Sequence, residues 1–350
     1  MPDPTIELAY AYDTPEADAV VRARPEDFVV EEVLGFEPSG EGEHAYLKIK
    51  KRDLNTQAVA QMLARHAGVR SMDVGYAGMK DRNAVTTQWF SIGLAGRDVP
   101  DWNALKSEAL EVMEMIRHGK KLRPGQLKQN RFRITLSDIH GDREKIKARL
   151  DRITSAGVPN YFGPQRFGQN GANLDAARAV FQGTRRVRDR RLKGIYLSAA
   201  RAQVFNQVLS ARVASGSWNR ALPGDVLMFD DSRSRFTTEA GDLAGDPRIE
   251  SLELHPTGPL WGSGSPDAAG EVAAMEREVA ESMTELTAGL EAAGLKADRR
   301  ALRLRVSALE YEDSGERGIA MTFALRPGAF ATAVLREIVN ARGPVPDQPG

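Results

Sequence analysis

Two glycines and a carboxylate flanked by cations occur together in the segment Gly75-Tyr-Ala-Gly-Met-Lys-Asp-Arg-Asn-Ala84. Asp81 lies between Lys80 and Arg82, just before a strand-like run over residues 86–92. Neighbouring cations favour the ionised form of a carboxylate, which is the form that acts as a nucleophile. A single loop aspartate is also a common turn or capping residue, so the segment alone leaves both interpretations open.

Positive charge is concentrated in three segments, although Lys plus Arg and Asp plus Glu each total 48. The segments span residues 48–52, 117–133 and 184–193, whereas acidic residues concentrate elsewhere, notably over residues 271–291. Each segment on its own is also typical of a solvated helix face or loop. Together they predict a basic face that binds a polyanion, despite the neutral sum.

The composition excludes several classes of protein. A chain of 350 residues with 41% hydrophobic and 27% charged residues predicts a soluble globular protein of two lobes. The absence of cysteine rules out disulfides, thiolate zinc sites and a cysteine nucleophile, and five scattered histidines indicate no metal site. We find no membrane-length apolar run and no signal-peptide pattern at Met1, so we expect a cytoplasmic protein that does not bind membranes.

Short strand and helix patterns alternate through the first 156 residues and would position the Asp81 segment. Alternation of apolar and polar residues predicts strands over 27–33, 44–50 and 131–136. Helical periodicity predicts helices over 55–67, 105–118 and 142–156, of which the first begins at Asn55 or Thr56 and ends at Gly68. The pattern indicates an α+β fold, with helices on one face of a mixed or antiparallel sheet.

The alternating strand and helix patterns stop near Gly157 and return near Arg303. Between these points we predict helices over 199–214 and 271–293, and after them strands over 302–306 and 319–325 and a closing helix over 331–341. The predicted domains are therefore a discontinuous catalytic domain of residues 1–156 and 304–345, and an inserted α/β lobe of residues 157–303. Residues 346–350 are expected to form a loose tail.

Five motifs appear in one order along nearly the whole chain. They are Pro25–Glu32, Gly75–Ala84, Asn130–Phe132, Pro159–Gly168 and Arg326–Thr332. In sequence and order they resemble the motifs of the TruD family of tRNA pseudouridine synthases. The resemblance implies a V-shaped molecule, with a pseudouridine-synthase core and an inserted lobe that clasp tRNA between them.

The resemblance also implies roles for individual residues. Asp81 matches the nucleophile, and Phe132 matches the aromatic residue that packs on the uracil. The other residues that match positions around the target nucleotide are Phe28, Asn130 and Phe330. Without the resemblance, residue type and position would make Phe132 a core residue and Asn130 a turn residue. Phe28 and Phe330 would be ordinary packing residues.

Two positions depart from the pattern of the family. Family members usually carry Lys three residues before the Pro25–Glu32 motif, where this chain has Arg22. The cation that pairs with Asp81 therefore stays open among Arg22, Lys80 and Arg82. Pro164 stands where an acidic residue is more usual, in a segment that concerns the hinge between the lobes rather than the chemistry.

The implied activity is isomerisation of a uridine to pseudouridine in tRNA, by resemblance uridine 13 of the D-arm, without a cofactor. We expect a monomer whose basic segments contact the RNA backbone through Lys120, Lys121, Arg123, Arg185, Arg186 and Arg188. One alternative is a catalytically silent tRNA-binding or folding protein on the same scaffold. A second is a nucleoside or glycoside hydrolase, which is disfavoured because no second acid partners Asp81 in the sequence.

Overall fold

The computed structural model describes residues 8–238, 245–264 and 267–343. Packing divides them into two compact units. The sheet unit comprises Glu16–Ile146, Ser307–Gly328 and the described residues from Val339 onward, and the helical unit comprises the residues up to Pro15, Lys147–Val306 and Ala329–Ile338. These bounds differ from the predicted domain boundaries. The division into a catalytic domain and an inserted lobe stays a prediction. The predicted loose tail at 346–350 lies outside the described residues.

The strands are β1 (Asp18–Val21), β2 (Phe28–Leu34), β3 (His44–Arg52), β4 (Val74–Tyr76), β5 (Val85–Gly93), β6 (Leu110–His118), β7 (Leu127–His140), β8 (Val158–Pro159), β9 (Val226–Phe229), β10 (Arg235–Thr237), β11 (Leu254–Leu260), β12 (Asp298–Ala301), β13 (Arg303–Leu304), β14 (Ser307–Asp313), β15 (Ile319–Leu325) and β16 (Asn340–Arg342). The helices are α1 (Thr56–His66), α2 (Arg143–Ala156), α3 (Ala172–Phe181), α4 (Arg190–Ala214), α5 (Pro247–Glu250), α6 (Gly270–Glu281), α7 (Thr284–Ala292) and α8 (Ala331–Leu335).

A ten-stranded mixed sheet forms the core of the sheet unit. Its main path runs β14-β15-β7-β2-β5-β3-β6, while β1 pairs with β7 and β16, and β4 pairs with β5. The β2–β5 and β1–β16 pairs are parallel, and the other pairs are antiparallel. The predicted α+β class with a mixed sheet is therefore confirmed.

Helix α1 covers one face of this sheet, because its apolar stripe matches the inward side chains of β3 and β5. Asn55 caps the helix by accepting a hydrogen bond from the amide of Ala58 at 2.7 Å. The helix ends at His66 with Ala67 as its C-cap, and Gly68 follows with a left-handed φ of +61°. The buried residues of this contact are Leu47, Ile49, Val59, Leu63, Phe90 and Ile92.

The helix predicted over 105–118 is wrong, because residues Leu110–His118 form the strand β6. Leu, Glu and Met are good helix formers, but the segment pairs with β3 and buries Leu110 in the core that α1 covers. Tertiary pairing therefore outweighs local preference. The helix predicted over 331–341 is wrong beyond Leu335, and the helix predicted over 271–293 is two helices, α6 and α7.

The helical unit is organised around the long helix α4, which contacts α3, α6, α7 and β11. Its strands form a four-stranded sheet in the order β10-β9-β11-β12 and a separate β13–β8 pair. The fully buried Asn206 of α4 hydrogen bonds both the amide and the carbonyl of Phe162, each at 2.9 Å. Helix α4 thereby fixes the position of the Pro159–Gly168 motif.

Candidate active site

The segment that carries Asp81 is held in place by polar contacts of its backbone. A Cβ atom on Gly75 would lie 2.2 Å from the carbonyl oxygen of Leu122, so only glycine fits there. Gln88 donates a hydrogen bond to the carbonyl of Gly78 at 2.5 Å, and the amide of Lys80 donates to the Thr56 hydroxyl at 2.9 Å. The Asp81 loop is therefore anchored on β5 and α1.

The carboxylate of Asp81 forms an ion pair with Arg22. The Nη2 atom of Arg22 lies 2.5 Å from Oδ2 of Asp81, whose side chain is 38% exposed. No described residue donates a hydrogen bond to the other oxygen, Oδ1. One oxygen is thus oriented by a cation, and the second is available to an incoming group.

Arg22 occupies a strained position directly after β1. Its φ of +66° is left-handed, a region that a non-glycine residue adopts at a cost of about 1–3 kcal/mol. The Arg22 guanidinium also lies over the ring of Phe28, 3.8 Å from the ring centroid. Arg22 therefore links the Asp81 carboxylate to an aromatic residue of β2.

The two cations that flank Asp81 in sequence point elsewhere. Lys80 forms an ion pair with Glu32 at 2.6 Å, and their side chains are 7% and 0% exposed. The exposed Arg82 donates a hydrogen bond to the carbonyl of Asp53 at 3.3 Å. Of the three candidate cations, Arg22 is the one that contacts the Asp81 carboxylate.

A buried lysine beneath the loop was not among the predicted site residues. The Nζ atom of Lys51 donates hydrogen bonds to the carbonyls of Leu54, at 2.6 Å, and Asp81, at 3.3 Å. Burial, followed by the positive charge of Lys80, lowers the pKa of Lys51 to about 8. Lys51 continues the inward series Ala45, Leu47 and Ile49 of β3, so strict alternation would have placed it inside.

An aromatic wall lies on the sheet face that also carries Glu32. Phe132 of β7 stacks on Phe323 of β15 with centroids 5.2 Å apart and packs edge-on against Phe28, with centroids 6.1 Å apart. Phe28 and Phe323 are buried, whereas Phe132 is only half-buried. Phe132 therefore retains exposed ring surface on which a planar base can pack.

Asn130 stands opposite Glu32 in the β2–β7 pair and opposite Leu325 in the β7–β15 pair. The Oδ1 atom of its side-chain amide is buried and accepts no hydrogen bond from a described residue. An unsatisfied buried acceptor costs free energy, which a ligand with an N–H donor would recover. Asn130 is thus suited to bind a polar edge of a base.

Phe330 belongs to the helical unit. It directly precedes α8, and its ring centroid lies 6.4 Å from that of Phe162. The guanidinium of Arg166 lies 5.8 Å from the Phe330 ring centroid. Phe330 is half-buried, so part of its ring is accessible.

The predicted RNA-contacting cations lie in two segments. In the sheet unit, the segment between β6 and β7 packs against the Asp81 motif, since the amide of Gly125 donates to the carbonyl of Ala77 at 2.8 Å. It carries Lys120 and Arg123, which are exposed, and Lys121, whose Nζ donates to the carbonyl of Met72. In the helical unit, the segment before α4 carries three exposed cations, Arg185, Arg186 and Arg188.

Two further findings concern the described residues as a whole. No group of three or more His, Asp or Glu side chains in the described ranges is arranged to hold a metal ion. Every helix in the described part of the chain is too short or too polar to cross a bilayer.

Comparison with known proteins identifies the family. The model of the family "tRNA pseudouridine synthase D (TruD)" matches residues 6–184 and 172–338. The tRNA pseudouridine synthase D of Methylococcus capsulatus is 51% identical over 320 residues, which cover 91% of this chain and 90% of that protein. The corresponding protein of Nitrosococcus oceani is 49% identical over 337 residues, which cover 96% and 94%.

A solved structure shares the fold. The crystal structure of the putative tRNA pseudouridine synthase D from Methanosarcina mazei superposes with a TM-score of 0.74 at 22% identity, covering 96% of each chain. The match of the family model over most of the chain, together with relatives near 50% identity, leads to one conclusion. This chain belongs to the tRNA pseudouridine synthase D (TruD) family.

Proposed function

We propose that this protein is an isomerase that converts uridine to pseudouridine in tRNA, with Asp81 as its nucleophile and uridine 13 of the D-arm as its target. The observation that carries the proposal is the arrangement of the Asp81 carboxylate. One oxygen is held by Arg22, the other accepts no hydrogen bond from a described residue, and Arg22 connects the carboxylate to Phe28 of the aromatic wall. Family membership supports the choice of substrate and reaction.

The reaction breaks the bond between ribose C1′ and uracil N1, and forms a bond between C1′ and uracil C5. The carboxylate assists either by attacking C1′ or by a route that begins with elimination at C2′, and both routes fit a single acid. The detached uracil must turn while it stays bound, the C5 hydrogen must pass to solvent, and N1 must take up a proton in exchange. No redox step or energy source is involved, so the proposal requires no cofactor.

The side chains near Asp81 suit the handling of a detached base. Phe132 offers a half-buried ring, stacked on Phe323, against which uracil can pack, and a base packed there would shield the ring from water. The buried Oδ1 of Asn130 is suited to accept a hydrogen bond from uracil N3. Flipping the uridine out of its stack costs a few kcal/mol, which stacking and phosphate contacts offset.

Release of hydrogen from C5 tests the proposal. We expect wild-type protein to release tritium to water from tRNA labelled at uridine C5, without additives and without accumulation of free uracil. Asp81→Asn keeps the size of the side chain but removes the carboxylate, so it should bind tRNA and release no label above background.

Each rival function has its own outcome in this experiment. A catalytically silent tRNA-binding protein would release no tritium in the wild type. A hydrolase would liberate uracil that still carries its tritium. Release by Asp81→Asn at the wild-type rate would rule out Asp81 as the nucleophile. Sequencing of pseudouridine sites in tRNA from cells with and without the gene would test position 13.

A further inference from the structure

We infer that Arg166 binds a backbone phosphate of the tRNA beside Phe330. This inference rests on the proposed function, since it assigns a contact to the proposed substrate. Arg166 ends a short turn, Pro164–Arg166, within the Pro159–Gly168 motif of the helical unit. Its guanidinium lies 5.4 Å from the ring centroid of Phe162 and 5.8 Å from that of Phe330.

The hydrogen bonding of Arg166 is incomplete. Nη1 donates to the hydroxyl of Ser198 at 3.1 Å. The Nε atom is buried and has no hydrogen-bond partner among the described residues. No carboxylate of a described residue forms an ion pair with Arg166, and burial lowers the pKa of its guanidinium.

Three buried arginines of the same unit have partners within the protein. Arg212 contacts both oxygens of Asp225 at 2.8 Å, and Arg299 contacts both oxygens of Glu276. Arg303 donates to the carbonyls of Ile249 and Leu254 and to the ring of His255. A half-buried guanidinium without an anion costs folding free energy. Arg166 is therefore placed for a partner that the described residues do not supply.

The Nε–Nη2 edge of the guanidinium, which has no hydrogen-bond partner among the described residues, indicates the chemistry of that partner. With Nη1 on Ser198, the Nε and Nη2 atoms form the edge that donates two parallel hydrogen bonds to an oxyanion. Phosphate is the anion that tRNA repeats along its whole length, and Phe330 beside it offers a ring for a base or ribose.

Helix α4 extends the same surface toward a basic segment. Arg191 precedes Ser198 by seven residues, so it lies two helical turns away, about 10 Å along the same face. Between them Ile195 is exposed, and the exposed cations Arg186 and Arg188 come before the helix. An RNA strand that contacts Arg166 can thus continue along cations toward the start of α4.

Arg166→Met tests the inference, because Met keeps the bulk of the side chain but removes the charge and the donors. We expect the dissociation constant for tRNA to rise about tenfold to a hundredfold. The slope of log affinity against log salt should fall by about one unit between roughly 50 and 200 mM salt. The melting temperature should stay unchanged or rise, because a buried charge without a partner is removed.

A matched control and a conservative variant accompany the test. Arg178 lies in the same unit but is paired with Asp175 and Glu285, so Arg178→Met should leave tRNA affinity and the salt slope unchanged. Arg166→Lys keeps the charge without the two-pronged edge, so it should restore the salt slope but only part of the affinity.

Two outcomes would overturn the inference. If Arg166→Met lowers the melting temperature while the folded fraction binds tRNA like the wild type, Arg166 is a structural residue. If affinity falls without a change in salt slope, Arg166 contacts a neutral group and not a phosphate. Neither result depends on turnover. Absence of tritium release by the wild-type protein would refute the proposed function and leave the binding result to be judged on its own.

Discussion

Lys80, the residue directly before Asp81, is ion-paired with the buried Glu32 of β2 and not with Asp81. Lys80 and Asp81 are adjacent in sequence but make different contacts. The Lys80 side chain runs inward and ties the loop to the sheet, while Asp81 remains partly exposed and contacts Arg22. Burial raises the pKa of Glu32, an effect that the charge of Lys80 opposes.

Removing Lys80 should destabilise the fold. Lys80→Met leaves the Glu32 carboxylate buried without its cation, so we expect the free energy of unfolding to fall by about 3–5 kcal/mol. Denaturant unfolding measures it. Lys106→Met is the control, because Lys106 pairs with Glu111 at the surface, so its removal should leave stability nearly unchanged. Equal effects of the two variants would show that the Lys80–Glu32 pair does not anchor the loop.

Arg22 should affect turnover more than stability. Its ion pair with Asp81 is partly exposed, so it contributes only about 0–1 kcal/mol to folding. Arg22→Met should lower kcat by about tenfold to a hundredfold, because the carboxylate loses its orientation. Arg22→Lys should retain most activity, since the Asp81 carboxylate is contacted through one nitrogen, which an ammonium can replace. Similar tritium release by Arg22→Met and wild type would contradict this role.

Periodicity predicted the elements around the site where side-chain alternation is strict. The strands over 131–136 and 319–325 fall within β7 and β15, and Phe132 and Phe323 face each other across that pair. Alternation failed where good helix formers lie in a strand, as in β6, because the deciding factor is the open edge of β3. Such pairing is a property of the tertiary structure.

The contacts of the site were less predictable than its elements. Arg22 and Asp81 are 59 residues apart, and their contact depends on the path of the chain after β1 and on a left-handed φ at Arg22. Charge alone ranked Lys80 and Arg82 equally with Arg22, because sequence does not tell which of the three side chains points toward the Asp81 carboxylate. The catalytic role of Asp81 stays a prediction that rests on the motif and on its geometry.

Lys51 should make stability depend on pH in the alkaline range. Its pKa is about 8 in the folded protein, against an ordinary value of 10.5, so the folded state loses the proton first. Between about pH 8 and 10.5 the unfolded state binds more protons, and the free energy of unfolding must rise with pH. Relative to Lys51→Met, wild-type stability should gain up to about 3 kcal/mol across this window. Urea unfolding of both proteins at several pH values measures it, and a constant difference would refute it.

Phe132 should contribute to turnover rather than to stability or overall affinity. Its half-buried ring is proposed to pack on the flipped uracil, so Phe132→Ala should lower kcat by about tenfold to a hundredfold. The dissociation constant for tRNA should change little, because stacking on one base only offsets the cost of flipping it within a large interface.

Ile134, two residues along the same strand face, is fully buried and is the control. Ile134→Ala should lose about 2–5 kcal/mol of stability, yet turn over normally per folded molecule. Tritium release, tRNA binding and denaturant unfolding of the two variants separate the roles. If Phe132→Ala loses stability and its folded fraction releases tritium at the wild-type rate, Phe132 is a packing residue and not part of the site.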